Sequence, residues 1–207
     1  VGATHANASG PSSGAAHFFS RAADGRWTHT QTITPAGEEG CEGNGCPPIR
    51  DVYMGRAVAL SGDYAVITGY EIAADDGEGY AYFYGRGADG RWTRFDDPVQ
   101  GSDTRPGNEF GTAVALKGSV AVVTAPRHRV GDTSSAGAVY VFTPRPRSAH
   151  NPQIYWAERR KLVARDREAF DLFGTDVAFD GETILVGAER ENDGGLGDNG
   201  AAYVFFE

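Results

Sequence analysis

Phe110-Gly111-Thr112-Ala113-Val114-Ala115-Leu116-Lys117-Gly118-Ser119-Val120-Ala121-Val122-Val123-Thr124-Ala125 reads as two short apolar strands folded about a glycine turn. Apolar and β-branched residues run on either side of Lys117-Gly118-Ser119, and the run closes on two small residues. The same unit recurs. Phe173-Gly174 leads into Thr175-Asp176-Val177-Ala178-Phe179, turns at Gly181, and continues through Ile184-Leu185-Val186 to Gly187-Ala188. Met54-Gly55 leads into Arg56-Ala57-Val58-Ala59-Leu60, turns at Gly62, and continues through Ala65-Val66-Ile67 to Thr68-Gly69. The step from the first glycine to the first small residue is 13 in all three copies. A third strand follows each copy after a loop of variable length: Gly79-Tyr80-Ala81-Tyr82-Phe83, Gly137-Ala138-Val139-Tyr140-Val141-Phe142 and Gly200-Ala201-Ala202-Tyr203-Val204-Phe205. At the N-terminus, Val1-Gly2-Ala3 and Gly14-Ala15-Ala16-His17-Phe18-Phe19 repeat the last two elements. A fourth strand is signalled by Ala23-Asp24-Gly25-Arg26-Trp27-Thr28 and its near copy Ala88-Asp89-Gly90-Arg91-Trp92-Thr93. In the third unit a longer segment around Tyr155-Trp156-Ala157-Glu158 takes its place. The period is 56 to 66 residues.

Four short strands per period, joined by glycine-rich turns, predict an all-β fold: a β-propeller built of four-stranded blades. No stretch carries a convincing helical face, and Ala157 to Arg167 is read as a surface excursion or an extended strand. The Phe of each Phe-Gly pair is expected to wedge between blades, where its Gly lets backbones approach closely. With strands labelled a to d, the chain reads b-c-d, a-b-c-d, a-b-c-d, a-b-c. That is about three and a half repeats, in one region over 1–207 with blades near 1–34, 52–98, 109–163 and 172–207. Two readings follow: a fragment of a longer polypeptide, or a chain whose blades are completed by another copy. Sheet edges left open at both ends favour the fragment. A closed four-bladed ring would need the two termini to share a blade.

The pattern Phe-Gly, Val-Ala, Gly-x-x-x-Val-Val, Gly-Ala and Gly-Ala-x-Tyr-Val-Phe resembles the FG-GAP repeat family, in the form common in secreted microbial proteins. Integrin α-subunit propellers are distant relatives. The resemblance covers nearly the whole chain, and it implies a propeller, typically of seven blades, in an extracellular or cell-surface setting. In integrin-type repeats a calcium cage sits in the a–b hairpin. Here those hairpins are Ser61-Gly62-Asp63, Lys117-Gly118-Ser119 and Asp180-Gly181-Glu182, too short to wrap a cation that takes 6–8 oxygens. That site does not carry over.

The net charge of −9 argues against nucleic acid and against an anionic membrane surface, both of which call for a basic face. No apolar run reaches the ~20 residues that span a bilayer. The chain opens on Val1-Gly2-Ala3 and not on a charged segment followed by an apolar run, so a mature or partial product is expected. Cys41 and Cys46, in Cys-Glu-Gly-Asn-Gly-Cys, are expected to close a small disulfide loop, which would place the protein in an oxidising compartment. Asn7-Ala8-Ser9 is an N-glycosylation sequon, relevant to a eukaryotic secretory pathway.

Two b–c loops are acidic. Residues 71–78 hold Glu71, Asp75, Asp76 and Glu78; residues 189–199 hold Glu189, Glu191, Asp193 and Asp198. Solvated turns are the favoured account, with Asp193 and Asp198 as the candidate ligands should a hard cation such as calcium bind. Trp27 and Trp92 either stack on sugar rings or pack between sheets, and repetition of the whole string favours packing. His17 stands where other repeats have Tyr and is expected to pack as its substitute. His128 sits in Arg127-His128-Arg129, a basic loop in an acidic chain, read as solvated, with an acidic partner as the alternative. Gly-x-Ser-x-Gly, phosphate-loop and dinucleotide signatures are absent. The expectation is therefore an extracellular interaction or scaffold module that binds protein or glycan, or that builds a surface assembly from further copies or blades. A hydrolase or lyase with a carboxylate or metal site on one face is the alternative.

Overall fold

A computed structural model describes residues 1–7, 12–35, 52–71, 77–148, 151–191 and 199–206. Its elements are β1 (Gly2–Ala3), β2 (Ala15–Arg21), β3 (Trp27–Ile33), β4 (Val58–Ser61), β5 (Tyr64–Glu71), β6 (Glu78–Arg86), β7 (Trp92–Arg94), β8 (Val114–Lys117), β9 (Val120–Ala125), β10 (Ala138–Ser148), β11 (Asn151–Leu162), β12 (Phe173–Phe179), β13 (Thr183–Ala188) and β14 (Ala201–Phe206). Among the described residues there is no helix. The strands form four antiparallel meanders in chain order: β1-β2-β3, β4-β5-β6-β7, β8-β9-β10-β11 and β12-β13-β14. Strand counts of three, four, four and three reproduce the expected b-c-d, a-b-c-d, a-b-c-d, a-b-c series. These are blade-like sheets, as the repeat predicts.

The core lies between sheets, not within one, because each sheet buries its faces only by stacking on a neighbour. One cluster joins the first two sheets through Ala16, Ile33, Met54, Ile67, Tyr82, Tyr84 and Trp92. A second joins the middle pair through Val66, Phe83, Phe110, Val123, Tyr140, Phe142 and Trp156. A third joins the last pair through Val122, Val139, Val141, Phe173, Ile184 and Val186. Register explains the division. Ala115, Val122 and Val141 lie side by side across the third sheet and face the fourth. Val123 and Tyr140, one residue along each strand, face the second.

The Phe-Gly pair is the joint. Phe110 is buried and meets Tyr140 and Phe142 edge-on, with ring centroids 5.7 and 6.2 Å apart. Phe173 repeats this with Tyr203 and Phe205 at 5.3 and 5.8 Å. Met54 fills the same place among Tyr82 and Tyr84. Each joint also touches the first residue of the preceding sheet's c strand: Gly14 bridges Met54, Gly137 bridges Phe173, and a Cβ on Gly79 would lie 1.9 Å from the Phe110 carbonyl oxygen. The small pair completes the contact. Thr68 is fully buried, yet its hydroxyl accepts from Ala57 N at 3.0 Å and donates to Gly111 O of the next sheet at 2.8 Å. Small size and a satisfied hydroxyl are both required there.

A second joint is made by tryptophan, as the sequence reading favours for Trp92 and does not foresee for Trp156. Trp92 stacks on Phe18 of the preceding sheet at 4.7 Å, and Trp156 stacks on Phe83 at 4.3 Å with planes 5° apart. Trp156 is thus the third copy of the tryptophan motif, without its Asp-Gly-Arg lead. Trp27 departs from the packed role expected of it. It is 67 % exposed against 5 % for Trp92, because among the described residues no sheet lies on that side of β3. Ala157 to Leu162 is extended strand, paired with β10. β10 runs well past the end of β9, so Pro144 and Pro146 pair only with β11 and their missing N–H groups break no ladder.

Candidate functional site

Within each four-stranded sheet, the start of strand a pairs with the end of strand b: Val58 with Ile67, Val114 with Val123. The connections that lead into strand a and the loops that follow strand b therefore emerge at one end of the stack. At that end of the third sheet lies a connected cluster of polar side chains. It gathers Asp103 and Asn108 from the segment before β8, His128 from the loop after β9, Tyr140 from β10, and Lys161 near the end of β11.

The geometry is closely connected. Tyr140 donates its hydroxyl to Asp103 Oδ1 at 2.7 Å, and Lys161 Nζ donates to Asp103 Oδ2 at 2.6 Å. Lys161 Nζ also lies 2.7 Å from His128 Nε2, and His128 Nδ1 lies 2.9 Å from Asn108 Oδ1. An ammonium offers only donors, so Nε2 accepts and the proton sits on Nδ1, facing the Asn108 carbonyl oxygen. His128 is thereby neutral. Burial and then the Lys161 charge hold its pKa below the ordinary 6.5. Burial alone would raise the Asp103 carboxyl. The Lys161 and Tyr140 hydrogen bonds outweigh it and hold the group below the usual carboxylate value. Burial, with the bond to Asp103, drives the Tyr140 phenol far up.

His128 therefore departs from the solvated loop expected of it: only 3 % of its surface is exposed. The flanking arginines do face solvent. Arg127 pairs with Glu109 at 2.9 Å, and Arg56 reaches the same carboxylate at 3.3 Å. Arg129 bonds Ser134 at 2.7 Å. With exposed Arg105 these give the corner a basic rim in an acidic chain. Chemically, the cluster fixes two loops to the sheet and presents Asp103 and Lys161 at its mouth. No spacing motif links the five positions. The one signal available was Asp103, Asn108 and His128 all lying in loops at one end of the same repeat.

The other expected positions fall differently. His17 does take the place of tyrosine, half-buried, bonded to Thr32 at 3.1 Å and beside His29. Asn7 is exposed, and its side-chain oxygen accepts from Ser12 N at 2.9 Å. Cys41, Cys46, Asp193 and Asp198 lie outside the described residues. In the last sheet and the segment leading into it, Asp166 accepts from Tyr203 at 2.9 Å, and Asp171 and Glu191 are buried. Among the described residues no three His, Cys, Asp or Glu side chains are placed to hold a metal ion, and no helix is long and apolar enough to cross a membrane.

Comparison with curated proteins finds no match. A protein-family model, the FG-GAP repeat, matches residues 99–142 and 156–205. The first match takes in β8, β9 and the start of β10, and the second takes in most of β11 with β12 to β14. With its repeated Phe-Gly joints and blade-like sheets, the chain carries FG-GAP repeats over those residues.

Proposed function

We propose that the chain is an extracellular, propeller-type interaction module that binds a protein or glycan ligand through the end carrying its b–c loops and the connections into strand a. The observation that carries this reading is the Asp103–His128–Tyr140–Lys161 cluster. It holds two variable loops rigid on a repeated frame, which is how a scaffold turns loops into a recognition surface. The basic rim of Arg105, Arg127 and Arg129 favours an acidic ligand face. The four sheets are taken as one propeller region over 1–207, with blades near 1–34, 52–98, 109–163 and 172–207. A Cys41–Cys46 disulfide and calcium at Asp193 and Asp198 belong to the same extracellular reading. Intact mass before and after alkylation tests the first. A rise in melting temperature on adding calcium, lost in Asp193→Asn/Asp198→Asn, tests the second.

The ligand test compares the wild-type chain with the triple variant Arg105→Ala/Arg127→Ala/Arg129→Ala on arrays of acidic and neutral glycans and of extracellular proteins. Acidic ligands should lose at least tenfold in affinity while the melting temperature stays within about 2 °C. Ligands that bind both forms equally would remove the loop end as the binding face.

A further inference from the structure

The loop after β9 is anchored by one buried side chain. Of residues 127–135, His128 alone is buried, and its neighbours are half-buried or exposed. The far leg of the loop is held separately, by Phe170 N and Leu172 N donating to Ser134 O and Ser135 O at 3.0 and 3.2 Å. The near leg carries Arg127 and Arg129. It is tied by the imidazole and by main-chain bonds that include Arg127 N to Asn108 O at 3.2 Å and Gly137 N to His128 O at 3.0 Å.

The charges around that imidazole are unevenly matched. Lys161 of β11 occupies Nε2 at 2.7 Å, and Tyr140 of β10 brings its hydroxyl to 3.4 Å from Nδ1. The segment before β8 brings Asn108 to Nδ1, Asp103 Oδ2 to 3.5 Å from Nε2, and the positive charge of Arg105. Asp103 already accepts from Tyr140 and Lys161. Glu158 of β11 is engaged by Ser102, and within the loop Arg127 and Arg129 turn to Glu109 and Ser134. A proton added at Nε2 therefore sets an N–H against the Lys161 ammonium, two donors with no acceptor between them.

We propose that His128 is an acid-opened latch on the loop end: proton uptake from solvent at Nε2 breaks its bond with Lys161 and releases residues 127–133 with Arg127 and Arg129. The proposal rests on that end being the binding face, and adds that acidification weakens it. Burial and the Lys161 charge, which hold the closed imidazole below its ordinary 6.5, work in the same sense. An opened loop returns the group to its solvated value, so the open form takes the proton more readily and acid favours opening.

Hydrogen exchange on the intact protein tests the latch. Protection of the Arg127, His128 and Gly137 amides should fall together by roughly fivefold or more between pH 7.5 and 5.0, within the limit of about tenfold per pH unit that one proton sets. These amides should exchange faster than those of Val66 and Ile67 in β5 at both pH values, as a local opening requires. His128→Gln stays neutral and keeps one donor and one acceptor, so the pH dependence should vanish. Lys161→Met leaves Asp103 free for the imidazolium. It should raise the His128 pKa, read by NMR, and cut the fall in protection to less than twofold. Protection independent of pH in the wild type, an unaltered slope in either variant, or a His128 pKa unmoved in Lys161→Met would overturn the proposal. Binding is read on arrays of sulfated glycans, whose charge is constant over this range. Glycans bound at pH 7.5 should weaken at least threefold at pH 5.0 in the wild type and not in His128→Gln; undiminished binding would overturn the coupling. Arrays silent at both pH values, with the exchange pattern as expected, would uphold the latch and count against the binding reading. Exchange independent of pH, alongside bound glycans, would do the reverse.

Discussion

Gly79 has no room for a methyl group: the Cβ it lacks would stand 1.9 Å from a main-chain oxygen of the next sheet. Its φ is not in the left-handed region, so Gly79→Ala isolates steric overlap. Gly62 is the complement, with open space around it and a φ of 59°. We expect Gly79→Ala to cost about 1–3 kcal/mol or more through forced backbone movement, and Gly62→Ala only about 1 kcal/mol of backbone strain. For a chain of this size, thermal melts should show a drop of roughly 2–4 °C per kcal/mol. Equal losses would contradict the close inter-sheet contact. His128 gives a pH prediction. Its folded pKa lies below 6.5, so the unfolded chain takes up that proton more readily. Its contribution to stability is complete above pH 6.5 and is lost as the pH falls through 6.5 towards the lower folded value. The melting temperature should therefore decline from pH 7.5 to 5.5, and less steeply in His128→Gln. His17 is shifted in the same direction, so part of the slope should persist in that variant. The pairing of His128 with Lys161 was not legible in the sequence. Nothing in Arg127-His128-Arg129 tells that the central side chain turns inward while its neighbours turn out.

At the scale of elements, the Phe-Gly joints should carry most of the inter-sheet energy. Phe110 is buried between two sheets, and Phe110→Ala should cost about 3–5 kcal/mol, read by denaturant unfolding. A loss below about 1 kcal/mol would mean that the joint is not a wedge. Most strands could be read directly from the constant 13-residue step, because a hairpin with a fixed turn fixes its register. The fourth strands were harder. Trp27 and Trp92 share a five-residue string, yet one is exposed and the other buried. Trp156 shares only the indole and packs as Trp92 does. The string encodes a hairpin turn, seen in the bonds that Arg26 N and Arg91 N donate to Asp24 Oδ1 and Asp89 Oδ1 at 3.0 Å. The burial of the indole is set by whether a sheet precedes it, which lies outside the string.

Across the molecule the four described sheets stand in series, and the last of them carries exposed apolar side chains. On the last sheet Ala178, Leu185 and Val204 lie side by side, as Ala115, Val122 and Val141 do on the third. The latter row is packed against the fourth sheet, whereas Leu185 is 45 % and Val204 54 % exposed, with Phe206 at 77 % beside them. Such a face promotes self-association. Leu185→Lys/Val204→Lys should lower the aggregated fraction in light scattering at unchanged melting temperature. The claim at the centre of this account is that the described sheets stack in chain order, with Trp92 and Trp156 each seated on the sheet before it. Nuclear Overhauser contacts of the three indole rings test it most directly. Trp92 should show contacts to Phe18 and Trp156 to Phe83, while Trp27 shows none to any other sheet. Contacts from Trp27 to the β12–β14 sheet, or the absence of those from Trp156 to Phe83, would contradict it.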